Sequence, residues 1–136
     1  SVPPPLEILP ILPDKLRAAQ TLFAQTGGVH GAAIFDGVSG EMLCAFEDIG
    51  RHNATDKTIG FGLENGFLPA QNSLVLLVSG RASFEIVQKA LRARIATVAA
   101  VSAASSLAVE LAQKNGLNLV GFLRPNGLTL YTGHIQ

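Results

Sequence analysis

The 136-residue sequence predicts an α/β protein: a three-layer αβα sandwich built on a mixed sheet with βαβ crossovers. Three observations carry that prediction. Segments of helical spacing alternate with short apolar runs through the second half of the chain, as in strands joined by helices. Ser73-Leu74-Val75-Leu76-Leu77-Val78-Ser79 is apolar throughout between its two serines, the mark of a strand covered on both faces. A hairpin pattern stands before this stretch and another closes the chain.

Residues 1–13 hold five prolines, which remove amide donors and bias their neighbours to extended backbone, so this stretch is expected to be an extended lead-in to a domain over 14–136. Asp14 is suited to cap a first helix, with Leu16, Ala19, Leu22 and Phe23 at helical spacing and Gly27-Gly28 stopping it near Thr26. Val29 to Phe35 reads as a strand, Asp36 to Gly40 as a turn and Glu41 to Phe46 as its hairpin partner. Asn53 is placed to cap a second helix, with Asp56 three residues on, and Asn65-Gly66 ends it before Pro69. After the strand at Ser73 to Ser79, Gly80-Arg81-Ala82-Ser83 turns into a third helix reaching Arg92. Ala96 to Val101 is a further strand, Ser105 or Ser106 caps a fourth helix closing at Asn115-Gly116, and Leu117 to Leu123 and Leu128 to Thr132 flank a Pro125-Asn126-Gly127 turn. The order is α-β-β-α-β-α-β-α-β-β, with the middle strands parallel and helices on both faces.

Ten basic residues balance ten acidic ones, which excludes a general nucleic-acid binder with a basic face; anion binding must be local. One cysteine excludes an internal disulfide. Nothing resembles a secretory signal and no apolar run is long enough to span a bilayer, so a cytoplasmic location without membrane attachment is the expectation.

Polar residues concentrate in Glu47-Asp48-Ile49-Gly50-Arg51-His52-Asn53-Ala54-Thr55-Asp56-Lys57, at the approach to a helix in an otherwise aliphatic chain. Free amides and the helix dipole favour an anion there, so Arg51 and His52 are candidate phosphate or carboxylate ligands; local capping and salt bridges to Asp48 or Asp56 are the plainer explanation. In Ser79-Gly80-Arg81-Ala82-Ser83, Gly80 permits close approach and Arg81 offers a forked donor, with Ser79 and Ser83 beside it; simple capping of the third helix by Ser83 is the alternative. Neither the Walker lysine spacing nor a Gly-x-Ser-x-Gly elbow is present. His30, after Gly27-Gly28, is either a satisfied core residue or part of a site. Cys44 alternates with Met42 and Phe46 and reads as buried and inert, and no cysteine pair supports a zinc site. In an α/β sheet Asp48–Lys57, Ser79–Glu85 and Ser102–Ser106 should meet at one rim, beyond the carboxyl ends of the strands.

Five blocks, Thr26 to Ala33, Glu47 to Lys57, Leu77 to Lys89, Ala100 to Ala108 and Leu119 to Leu123, resemble the FdhD/NarQ family of formate dehydrogenase accessory sulfurtransferases. The resemblance implies a cytidine deaminase-like fold. It further implies transfer of sulfur, as persulfide, from a cysteine desulfurase to the molybdenum cofactor bis-molybdopterin guanine dinucleotide, for delivery to formate dehydrogenase. A homodimer is expected. The family's cofactor contacts include the segment aligned with Leu128, Thr129, Leu130, Tyr131, Thr132 and Gly133. Its sulfur-carrying Cys-x-x-Cys loop has no counterpart here, so this chain is expected to be the C-terminal part of a longer protein, able to hold cofactor but not persulfide. Two rival readings are a nucleotide hydrolase or deaminase using His30 or His52, and a non-catalytic docking module.

Overall fold

The computed structural model describes residues 4–20 and 29–135. Its six strands are β1 (His30–Asp36), β2 (Met42–Asp48), β3 (Leu74–Val78), β4 (Thr97–Ala100), β5 (Asn118–Arg124) and β6 (Gly127–Thr132). They form one mixed sheet in the order β2-β1-β3-β4-β5-β6. β3, β4 and β5 run parallel, β1 is antiparallel to β3, and β2 and β6 pair antiparallel at the two edges. The helices are α1 (Leu12–Ala19), α2 (Arg51–Glu64), α3 (Phe84–Arg92) and α4 (Ser106–Asn115).

Alternation along the strands divides the core in two. One cluster joins Ile34, Leu76, Val78, Val98 and Leu119 to Ile86, Val87, Ala108 and Ala112 of α3 and α4, with Ala54 of α2. The other joins Ala33, Phe35, Val75, Leu77, Ala99, Val120 and Leu123 to Ile8, Leu9, Leu12 and Leu16. Serines set the starts of two helices as the sequence predicts: Ser83 Oγ accepts from Ile86 N and Ser105 Oγ from Ala108 N. Gly116, at φ 68°, ends α4 in the left-handed conformation a glycine adopts without penalty.

Four local expectations are corrected. The proline-rich start is not extended to residue 13: Leu6–Ile11 forms a 3-10 helix that runs directly into α1. Its leucines decide this. Leu9, Leu12 and Leu16 are buried against the sheet, each contributing roughly 1.5–3 kcal/mol, while Pro13 near the start of α1 lacks an amide that would have no partner there anyway. Asp14 therefore lies inside α1 and caps nothing; its carboxylate pairs with Arg17. The expected continuation through Leu22 and Phe23 to Gly27-Gly28 lies outside the described residues. Asn53 is the third residue of α2, whose cap position is Gly50. Finally, the alternation of Met42 with Cys44 and Phe46 is broken by a register shift between Ile34 and Phe35. Met42 packs with the α1 cluster, while Leu43, Cys44 and Phe46 face α2.

Candidate functional site

Topology gathers the polar segments. Because β1 runs against β3, its first residues lie beside the end of β3: Ser79 N donates to Gly31 O at 3.0 Å and Gly31 N to Ser79 Oγ at 2.8 Å. β2 runs against β1, pairing Asp48 with His30, so α2 starts at the same rim. The turns after β3 and β4 complete it.

The approach to α2 is tied from within. Asp48 Oδ1 accepts from Gly50 N at 3.0 Å and from Asn53 Nδ2 at 3.4 Å, and Asp48 Oδ2 lies 2.6 Å from Lys57 Nζ. Lys57, with the Gly50 amide behind it, holds the Asp48 carboxyl at about 2, so it stays ionised at any ordinary pH. Asp56 is joined to Lys89 of α3 at 2.5 Å. In the next turn of α2, Thr58 is fully buried, and its Oγ1 lies 2.8 Å from Ala54 O and 3.2 Å from Ala32 O, anchoring α2 to β1. These contacts engage Asp48 and Asp56 and leave Arg51 outside any ion pair among the described residues.

The turns after β3 and β4 share one plan: an apolar strand, a short turn, then a serine cap. They lie side by side, with Ala82 N donating to Ala103 O and Ser105 N to Ala82 O, both at 3.0 Å. A cleft of 280 Å³ opens over them, lined by Arg51, Arg81, Ala82, Ser83, Ala103, Ala104 and Ser105. Methyl side chains on its floor leave room, two arginines supply charge, and the N termini of α3 and α4 add the positive ends of their dipoles. Arginine side chains and helix N termini are groups that can bind an anion of phosphate type.

Of the predicted site residues, Arg51, Arg81 and Ser83 line this cleft. His52 stands behind it, with Nε2 3.5 Å from Ser83 Oγ. Gly80 lies beside His30, where an added Cβ would stand 3.5 Å from Nδ1, an ordinary contact. Ser79, occupied by the Gly31 amide, borders a 460 Å³ cavity on the other face of the rim, between Leu16, Arg17, Val101 and Arg124. None of Leu128, Thr129, Leu130, Tyr131, Thr132 or Gly133 lines the cleft. β6 runs away from the rim: Thr129 pairs with Gly121 and Leu130 with Val120, but Thr132 reaches Leu119, and Gly133 sits over Asn118 at the opposite rim. Tyr131 packs half-buried on the helix-covered face. The structure thus does not bring Thr132 and Gly133 together with the arginines. Ala103, Ala104 and Ser105 join the arginines from Ser102–Ser106, the third segment expected at this rim.

Cys44 is buried in β2, its Sγ 3.8 Å from Thr58 O, and burial pushes the thiol up. A protonated thiol in that position is a poor nucleophile.

The FdhD/NarQ family pattern matches residues 5–136. The chain belongs to the FdhD/NarQ family. It is 57% identical over 127 residues to the sulfur carrier protein FdhD of Streptomyces coelicolor, covering 93% of this chain and 44% of that one. The chain thus spans less than half the length of this relative. Among solved structures, a putative formate dehydrogenase accessory protein from Desulfotalea psychrophila superposes with a TM-score of 0.87 at 28% identity, over 98% of this chain and 55% of the other. A guanine deaminase from Nitrosomonas europaea superposes with a TM-score of 0.66 at 13% identity, over 85% of this chain and 76% of that one. At that identity the likeness concerns the fold alone, which is cytidine deaminase-like.

Proposed function

We propose that this chain is the cofactor-binding part of a sulfur carrier that serves formate dehydrogenase, and that its cleft holds a diphosphate of bis-molybdopterin guanine dinucleotide. The observation that carries the reading is the meeting of Arg51 and Arg81, thirty positions apart, in one cleft beside two helix N termini, in a chain of this family. At 280 Å³ the cleft is at the small end for a ligand pocket, fitting one anionic portion of such a cofactor rather than the whole. Arg51 and Arg81 would grip the phosphate oxygens and Ser83 would border them, while the Asp48–Lys57 pair keeps the α2 approach in place.

The wider role follows as part of the same proposal. The full-length protein takes sulfur as persulfide from a cysteine desulfurase, works in the cytoplasm as a homodimer, and delivers the cofactor to formate dehydrogenase. Persulfide carriage needs an accessible thiolate, which the buried Cys44 does not supply, so in this reading the sulfur is carried outside these residues. When bound, the cofactor supplies the metal centre that accepts sulfur; the residues described here bind and orient it. Leu128 and Thr129, the part of β6 nearest the rim, extend the reading along the sheet edge.

Calorimetric titration of GDP into the wild type, Arg51→Ala and Arg81→Ala tests the site. Each substitution removes a charged hydrogen bond and is expected to weaken binding by about 1.5–3 kcal/mol. Equal affinity in all three proteins would remove the cleft from the proposal.

A further inference from the structure

Glu85, in the first turn of α3, is an acid at the edge of a cleft otherwise built of positive charge. Its Oε2 lies 4.0 Å from His52 Nε2, the same nitrogen that lies 3.5 Å from the cleft-lining Ser83 Oγ. Its carboxyl is held below the usual range chiefly by its own backbone amide, with Ser83, His52 and Arg51 adding to the effect. Glu85 thus faces two cationic groups of α2, one permanently charged and one that gains its charge by taking up a proton.

We infer that His52 and Glu85 form a proton-dependent pair that sets how strongly the cleft holds an anion. This rests on the anion-binding reading above. While His52 is neutral, the Glu85 carboxylate repels an incoming anion and draws on the field of Arg51. Once His52 is protonated, Glu85 pairs with the imidazolium and Arg51 is left to the ligand. Proton and anion then favour one another, so affinity rises as falling pH charges the imidazole and declines as rising pH discharges it.

The other charges around His52 leave Glu85 as the group that matters. On α2, Asp56 is joined to Lys89 of α3, and Lys57 to Asp48 at the end of β2. Arg81, in the turn before α3, adds fixed positive charge, and His30 lies across Gly80 on β1. Among the described residues Glu85 is the acid within ion-pair reach of the His52 ring. Both side chains are partly exposed, at 38% and 55%, so solvent screens the pair and the effect is severalfold rather than orders of magnitude.

The test is titration of GDP and of inorganic pyrophosphate into the wild type, His52→Gln and Glu85→Gln at about pH 6 and about pH 8. Comparing proteins on one ligand cancels the ligand's own titration. Between the two pH values the wild type is expected to lose about threefold more affinity than His52→Gln, and Glu85→Gln to bind about threefold tighter than the wild type at the higher pH. A role for Glu85 in folding alone would not strengthen binding. Binding that weakens in Arg81→Ala but changes with pH in parallel for the wild type, His52→Gln and Glu85→Gln would overturn the pair and leave the cleft standing. No binding to any of them at either pH would overturn both.

Discussion

The two rims of the sheet are both rich in polar residues, yet they use them in opposite ways. At the rim where β4 and β5 begin, polar groups close on one another. Asn118 Nδ2 donates to Thr97 Oγ1 at 3.1 Å, Asn118 Oδ1 accepts from His134 N at 2.9 Å, and Thr132 Oγ1 donates to Leu117 O at 2.7 Å. Thr97, Asn118 and Thr132 are all buried. At the far rim, Arg51, Arg81 and Ser83 line an open cleft, with Asp48 and Asp56 engaged by lysines and Glu85 at its edge. A buried polar group with its partners in place holds the fold, whereas a charged group left facing a cleft is available to a ligand.

The contrast is sharpest at Gly133. It has φ 87°, and a Cβ there would come within 2.8 Å of Asn118 Cα, which is backbone and has no room to move. Gly133→Ala is expected to destabilise the chain by about 2–4 kcal/mol, seen as a lowered unfolding midpoint in denaturant. A wild-type midpoint would break the view of this rim as a closed structural corner. The open rim should respond the other way. Arg51→Ala and Arg81→Ala are expected to keep their unfolding free energy within about 0.5 kcal/mol of the wild type while losing affinity for GDP. A large loss of stability in either would assign that arginine to folding instead.

The smallest effect concerns the approach to α2. The Asp48 carboxyl, ordinarily at 3.8, is held at about 2 in the folded chain. A depressed carboxyl adds stability when ionised, so its contribution is complete above about pH 4 and is lost as pH falls toward 2. Asp48→Asn should therefore be slightly less stable than the wild type at neutral pH, with the difference fading under acid. A constant gap across the thermal-melt series would mean that the Lys57 link stores no such energy.

Much of the fold was legible because it rests on local periodicity. The apolar run Leu74–Val78, the serine caps at Ser83 and Ser105 and the glycine stop at Gly116 are short-range signals, and each element follows from its own residues. Misreadings arose where distant packing overrides local preference. The proline-rich start becomes helical because Leu9 and Leu12 find a sheet face to cover, and Met42 changes face because β1 and β2 slip register. The candidate site divides in the same manner. Arg51 and Arg81 follow from helix starts after strands, but Glu85 acquires a role only when α3 is set against α2, and the C-terminal segment is separated by the direction of β6.

Sequence alone was enough for the element order, the α/β class and the segments that carry charge, since hydrophobic spacing and capping act over a few residues. Which of those segments share a cleft was settled by strand direction and sheet order. Parallel β3 and β4 bring their turns together, and antiparallel β6 carries Thr132 and Gly133 to the other end. Strand pairing joins residues far apart along the chain, and the energy that selects it resides in contacts that exist only once the sheet has formed.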